Sequence, residues 1–271
     1  MRGIMKFIIA ILIAAVSLVT YWCNTDKNEF TGEEQRVSMT VNQEIALGLQ
    51  AAPEIASQYG GLHPDKEAAA SVKAIGQRLV QQTKAGETPY QFDFHLLADE
   101  QTVNAFALPG GQIFITAALL KRLENEDQLA GVLGHEIGHV VARHSAEQLA
   151  KSKLTQGLTG AAAIAMYDPQ NPGSQGGAVV AAMIGKLVNM RYGREDELES
   201  DRLAVRLTGE AGYDPRAMID VMHILEQASG ASNGPEFTQT HPNPGNRRAE
   251  IERAIQEEYP NGIPASTESS Y

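Results

Sequence analysis

Residues 133–145 read LGHEIGHVVARHS, with His135 and His139 four apart and Glu136 directly after the first. On a helix four residues turn through about 400°, so the two rings stand roughly 40° apart on one face. Both can reach one ion, and neutral imidazole suits zinc. Glu136 falls on the flank of that face, where its carboxylate can hold and deprotonate a water without being a ligand. Two imidazoles make an incomplete zinc site, so a third donor has to come from elsewhere in the chain. The plainer reading of the same residues is an amphipathic helix that happens to carry two histidines.

The single cysteine, Cys23, excludes an intrachain disulfide and a thiolate zinc site, leaving histidine and carboxylate as donors. In metzincins the motif runs on to a glycine three residues and a histidine six residues after the second histidine. Those positions here are Ala142 and Ser145. On a continued helix His144 points about half a turn away from His135, and no glycine or proline breaks the helix there. His144 is therefore not expected to be a ligand. Carboxylates remain, and REDELESDRLAVRLTGEAG (194–212) offers several. Projected as a helix, Glu195, Glu199, Arg202 and Arg206 share one arc, as a solvated and ion-paired face does. Leu203, Ala204, Val205, Leu207 and Ala211 cover the other. Glu197 falls in the middle of that apolar arc, with Asp201 one turn later beside it. A carboxylate aimed at a core is costly unless paired or metal-bound. Glu197 is either a helix-start acid or half of a buried ion pair, or it completes a His-His-Glu site. In the last case Asp201 holds a ligand histidine by its other ring nitrogen.

These residues need elements to carry them. Asn125 caps the motif helix, supported by Glu126, Asp127 and Gln128 in its first turn. Upstream, Thr40 caps a helix to about Tyr59 with Pro53 inside it, and Asp65–Thr83 is a second with Val72, Ile75, Leu79 and Val80 apolar. YQFDFHLLA (90–98) alternates as a strand, and VNAFALPGGQIFIT (103–116) reads as a hairpin turning at Pro109-Gly110-Gly111. The strand around Asn104 could offer an edge to an extended substrate; the alternative is an ordinary buried hairpin. Residues 154–190 are Gly/Ala-rich and apolar, broken by YDPQNPGSQGG (167–177), and read as a packed helical hairpin or mobile flap. Helices follow at about 195–211, ended by Gly212, at 215–228, capped by Asp214, and at 245–258. The class is α+β, predominantly helical, with a small sheet beside the motif helix. The expected organisation is an anchor or signal segment over 1–22, a polar linker over 23–39, a catalytic domain over 40–260 and a disordered tail over 261–271.

Arg2 and Lys6 precede FIIAILIAAVSLV (7–19), which ends near Tyr21 and Trp22, and Ile4–Trp22 is about long enough to cross a bilayer. The basic residues come first, so the N-terminus should stay cytoplasmic and the rest be exported. A retained anchor, a signal peptide cleaved near Ala15-Val16-Ser17, and lipidation at Cys23 compete; Thr20, Tyr21 and Trp22 fit the last poorly. All three export the domain. The balance of 22 Lys+Arg against 33 Asp+Glu, a formal charge of −11 with no basic cluster, argues against nucleic-acid binding. Oligomeric state is left open.

HEIGHVVARH followed by ELESD resembles the HExxH…ExxxD pair of the gluzincin peptidases related to HtpX, BepA and the CAAX prenyl proteases. NAFALPGGQIFIT (104–116) is similar to that family's segment upstream of the zinc helix, and HPNPGNR (241–247) to its C-terminal His-Pro element. The matches run across about residues 40–258. The resemblance implies a zincin-like fold and one zinc per chain at His135, His139 and Glu197, with Glu136 catalytic and Asp201 in support. It also implies that His241 lies close to the metal, as a gate or a resting fourth ligand; the alternative is a surface turn histidine before Pro242. The chain carries at most one span and is expected to lack a repeat domain. It is thus closest to single-anchor or exported bacterial members, and neither a prenylated substrate nor repeat-mediated docking is expected.

Three protein ligands leave a fourth zinc position for water, which Glu136 can deprotonate before handing the proton to the leaving amine. A tetrahedral oxyanion needs a further donor, for which Tyr192, Arg202, His241 and Arg247 are candidates. The reading is a zinc endopeptidase of the bacterial envelope, facing the periplasm and held at the inner membrane by residues 4–22, that degrades misfolded or unassembled proteins. The rivals are a chaperone-like factor that keeps the metal and rarely cuts, and a zinc exopeptidase.

Overall fold

The computed structural model describes residues 2–166, 191–228, 236–242 and 245–263. The fold is α+β and mostly helical. Helix α1 (Arg2–Cys23) contains Ile4–Cys23, a stretch long and apolar enough to cross a membrane, and its large side chains are mostly exposed. It packs along α6 (His144–Met166), where a Cβ on Gly157 would lie 2.1 Å from Ser17 Oγ. Small residues at such a contact let two helix backbones approach.

Residues 24–36, read from their polarity as a linker, are instead folded: β1 (Thr25–Lys27) and β2 (Glu34–Arg36) pair antiparallel. Their job is visible at the end of the motif helix. Asn28 and Gln35 are buried and donate from their amides to the carbonyls of Val141 and Ala142, at 2.8 and 2.5 Å. Those are helix-terminal carbonyls with no partner inside the helix.

A three-stranded sheet of order β3-β5-β4 lies at the centre: β3 (Asp93–Leu97) parallel to β5 (Gln112–Thr116), and β5 antiparallel to β4 (Ala105–Ala107). Strand alternation splits its side chains between two cores. Phe94, Leu96, Ala105, Ala107, Ile113 and Ile115 face a large core shared with the helices around the motif, whereas Leu97, Phe106, Leu108 and Phe114 face α2 (Val41–Gln58). Thr40 caps α2 with a full capping box, and Pro53 sits inside it as expected. Asp65 caps α3 (Lys66–Gln81), which lies on β3. A short α4 (Ala117–Leu120) leads to α5 (Glu126–Val141), the motif helix, capped by Asn125. Helices α7 (Arg194–Glu210), α8 (Ala217–Ala228), α9 (Glu236–Thr240) and α10 (Arg247–Glu258) complete the described residues. Of the hairpin or flap expected across 154–190, residues 154–166 belong to α6 and the rest lies outside the described residues, as does the expected tail from 264 on.

The motif helix does not continue into His144. It ends at Val141, and Arg143 takes φ +58, the only non-glycine left-handed residue described. No glycine or proline is needed, because tertiary contacts hold the turn. The Arg143 side chain donates to Glu44 of α2 at 2.7 and 3.0 Å, to Asp26 of β1 at 2.7 Å and to the Met39 carbonyl at 2.9 Å. Left-handed backbone at a non-glycine residue costs about 1–3 kcal/mol and persists only where its surroundings over-determine it. Arg143 and Glu44 are buried, but the Asp26 side chain is 59% exposed. Removing one partner of a buried pair strands the other charge; an exposed partner contributes little. Arg143→Ala is therefore expected to lower unfolding free energy by about 3–5 kcal/mol, and Asp26→Asn by under about 1 kcal/mol, as measured by urea denaturation. Equal losses in the two variants would contradict this account of the turn.

Candidate metal centre

Helices α5 and α7 build the site by lying close together. Where Gly138 faces α7, an added Cβ would stand 3.1 Å from the Ser200 backbone, so a side chain there would require the two helices to move apart by a few tenths of an ångström. That approach sets His135 and His139 of α5 against Glu197 of α7, and all three are buried to 1% exposure or less. His241, just past α9, joins them with no exposure at all.

The donor atoms converge. His135 Nε2 lies 3.0 Å from His139 Nε2, 3.3 Å from His241 Nδ1 and 3.5 Å from Glu197 Oε2. His139 Nε2 is 3.5 Å and His241 Nδ1 3.1 Å from Glu197 Oε1. A tetrahedral zinc with donors at about 2.0–2.1 Å places them about 3.3 Å apart, so this set fits one small cation. Among the described residues, His135, His139, Glu197 and His241 form the one cluster that could hold a metal ion. Imidazole and carboxylate with no thiolate is a donor chemistry zinc accepts.

Glu136 stands apart in kind. It is fully buried beside the cluster, its Oε1 is 3.7 Å from His241 Nε2, and neither carboxylate oxygen makes a hydrogen bond. Burial pushes its pKa up, against the opposing pull of His241 and His135. Glu197 goes the other way. Burial pushes it up, but His241, Arg247 and the two α5 histidines hold it well below the usual carboxylate range.

Asp201 lies directly behind His135. Its Oδ1 lies 2.9 Å from His135 Nδ1. An ionised carboxylate only accepts, so Nδ1 carries a proton and Nε2 is the nitrogen that faces the cluster, able to ligate once its own proton leaves. Burial pushes the His135 pKa down, but Asp201 and Glu197 outweigh it and hold it at about 9. His139 has no carboxylate on its Nδ1, and burial, against the pull of Glu197 on Nε2, drives its pKa well below the ordinary value.

Arg247, at the start of α10, is the largest fully buried side chain among the described residues. It donates to Asp201 through Nε at 2.8 Å and Nη2 at 2.6 Å, and its Nη1 is 3.0 Å from Glu197 Oε2. Each of its three nitrogens thus faces one of two carboxylates. Arg202 is exposed. Tyr192 stacks on His139 with centroids 3.9 Å apart, and its hydroxyl pairs with Ser145 Oγ at 2.9 Å. Asn104 is buried; its amide donates to Tyr59 at 3.4 Å and to Glu236 of α9 at 3.2 Å, and β4 beyond it is buried too.

Two residues depart from the sequence expectation. Glu199, projected onto the solvated arc, has its side chain 17% exposed and reaches His144 Nε2 at 3.0 Å. His144, expected to point away, has its Nδ1 2.8 Å from His139 Nδ1. The turn at Arg143 swings it there.

The charges around Arg247 give a test that needs no metal. Arg247→Met strands two buried carboxylates, and the metal-free chain is expected to lose about 3–5 kcal/mol of stability in urea denaturation. A loss under about 0.5 kcal/mol, ordinary for a surface site, would show that Arg247 does not neutralise them.

With this geometry in hand, comparison with known proteins is informative. The model of Peptidase family M48 matches residues 66–255. The beta-barrel assembly-enhancing protease of Escherichia coli (strain K12) is 30% identical over 267 residues, covering 92% of this chain and 52% of that protein. The mitochondrial metalloendopeptidase OMA1 of Arabidopsis thaliana is 33% identical over 156 residues, covering 58% of this chain and 30% of that protein. The Bos taurus metalloendopeptidase OMA1 is 32% identical over 193 residues, 68% of this chain and 37% of that protein. The chain spans about half the length of the beta-barrel assembly-enhancing proteases it matches. The resemblance carried by the HExxH and ExxxD motifs is thus a true kinship, and the chain belongs to peptidase family M48.

Proposed function

We propose that the protein is a zinc metalloendopeptidase that cleaves internal peptide bonds of protein substrates. The observation that carries this reading is Glu136: a buried carboxylate, unbonded through both oxygens, beside four converging metal donors. A module that only binds metal has no use for such a base. His135, His139 and Glu197 are the residues to hold the ion, with His241 as a fourth donor while the site is closed. A zinc ion there supplies a Lewis acid that polarises the scissile carbonyl and acidifies water.

The chain's own groups do the rest. Glu136, with its pKa raised by burial, takes a proton from water and passes it to the departing amine. Asp201 fixes the His135 ring, and Arg247 balances Asp201 and Glu197. The carboxylate Glu136 then acts on water directly, and hydrolysis proceeds without a covalent intermediate.

The biological setting follows by analogy. The apolar Ile4–Cys23 helix supports membrane anchoring, and Arg2 and Lys6 before it support export of the remainder across the inner membrane of a bacterial envelope. The printed name of the Escherichia coli relative ties that protein to β-barrel assembly. A periplasmic enzyme acting on misfolded or unassembled proteins is the corresponding role here, with residues 40–260 as its peptidase domain.

Zinc content and casein cleavage of the full-length chain in detergent test the chemistry. Wild type should hold one zinc and cut internally. Glu136→Gln should keep the zinc and cut at least about 10²-fold more slowly, and Glu197→Ala should lose both. Full zinc and full activity in Glu197→Ala would remove Glu197 from the ligand set. The burial of every donor points to a closed site with His241 across its mouth. His241→Ala is therefore expected to raise turnover, and unchanged or lower turnover ends the gating idea.

A further inference from the structure

We infer that His144 is a positioning residue for the metal site: together with Glu199 it forms a relay that fixes which nitrogen of His139 faces the ion. This rests on the reading of His139 as a ligand. His139 turns Nε2 toward the cluster, 3.0 Å from His135 Nε2, and Nδ1 away from it, 2.8 Å from His144 Nδ1. The second ring continues the line, since His144 Nε2 is 3.0 Å from Glu199 Oε2. Ser200 Oγ, 3.4 Å from His144 Nδ1, is the remaining polar contact on that nitrogen. His139 and His144 are each 1% exposed.

With His144 neutral, one direction of hydrogen bonding satisfies this chain. An ionised carboxylate accepts, so His144 donates to Glu199 from Nε2–H. The Nδ1 of a neutral His144 then offers a lone pair, and His139 donates to it from Nδ1–H. That leaves the Nε2 lone pair of His139 pointing at the cluster, the form a ligand needs. The reverse direction sets a His144 lone pair against the carboxylate and a hydrogen on the nitrogen that faces the ion. His135 is oriented in the same sense, through Asp201 on its own Nδ1. The two ligand histidines thus share one logic, and the arm behind His139 is longer by one imidazole.

The helix break before His144 gains a purpose from this. On an uninterrupted helix His144 would stand about 140° around the axis from His139. The left-handed turn at Arg143, held by Glu44, Asp26 and the Met39 carbonyl, brings the two rings into contact instead. The outer partners of metal-bound histidines typically set metal affinity by 10–100-fold.

The test compares His144→Phe with His144→Asn in the full-length chain. Asparagine keeps an oxygen able to accept from His139 Nδ1–H, and phenylalanine keeps only the ring volume. Zinc affinity is read by competition with a chromophoric chelator, the site's symmetry by the visible absorption of the Co²⁺-substituted protein, and the fold by thermal unfolding of the metal-free chain. His144→Phe should weaken zinc by about 10–100-fold and shift the Co²⁺ bands, while His144→Asn stays within a few-fold of wild type. Wild-type zinc affinity in His144→Phe overturns the relay. So does an equal loss in both variants, which would mark a structural role only. Should wild type itself bind no stoichiometric zinc, the ligand reading falls and takes the relay with it, an outcome distinct from the two before.

Discussion

The constraint on which the rest of the structure depends is charge burial. Glu136, Glu197 and Asp201 are all buried to 1% exposure or less within one small volume, and among the described residues Arg247 is the permanent cation that meets them. Three carboxylates against one guanidinium leave a deficit of two positive charges. A divalent ion meets that deficit, and without one protons must meet it. The shifts run that way: Glu136 is pushed toward its neutral form, and His135 holds a proton up to about pH 9. Metal and protons compete for the same place, as they do wherever binding requires deprotonated ligands. The fold tolerates this cluster because each carboxylate but Glu136 is tied down. The one left unbonded is the one proposed to move a proton.

Holding such a cluster requires that the motif helix be fixed at both ends, and the two ends are fixed differently. At its start, Asn125 accepts from the Gln128 amide at 2.9 Å, a cap made within four residues of sequence. At its finish, Asn28 and Gln35 bind the last carbonyls from more than a hundred residues away. Those caps come from the hairpin that directly follows α1. Helix α6, which starts at His144, packs back along α1. The apolar N-terminal helix, the hairpin and the residue behind His139 therefore belong to one frame, and a truncation that removes β1 removes part of the support of the site.

That difference explains what could be read in the sequence. The caps at Thr40, Asp65 and Asn125, the apolar stripe of α3 and the glycine turn of the hairpin are local signals, and each marks the element that forms. The burial of Glu197 was legible because it falls in the middle of an apolar arc, with Asp201 beside it. His144 was not legible. Excluding it rested on a helix that continues unless glycine or proline stops it, yet the stop depends on Glu44, 99 residues upstream. Glu199 was misplaced for the same reason, since its partner reaches it only after the turn. Residues 24–36 looked like a linker because polar side chains that cap a distant helix resemble polar side chains that face water.

The closed mouth of the site has its own physical logic. Helix α9 is five residues long and holds two things at once. Through Glu236 it binds Tyr59 and the Asn104 amide, and the Phe237 amide donates to the Val103 carbonyl at 3.2 Å, so it sits against the start of β4. Through Phe237, stacked on His241 with centroids 4.4 Å apart, and the His241 amide, which donates to the Phe237 carbonyl at 2.7 Å, it sets the histidine over the cluster. A substrate strand that added to β4 would have to displace α9 from Val103. Because the same short helix carries His241, that displacement would withdraw the imidazole from Glu197. Access to the proposed edge and access to the proposed metal are thus one movement. A helix this short, with few side chains in the core, is the kind of element that local opening draws on.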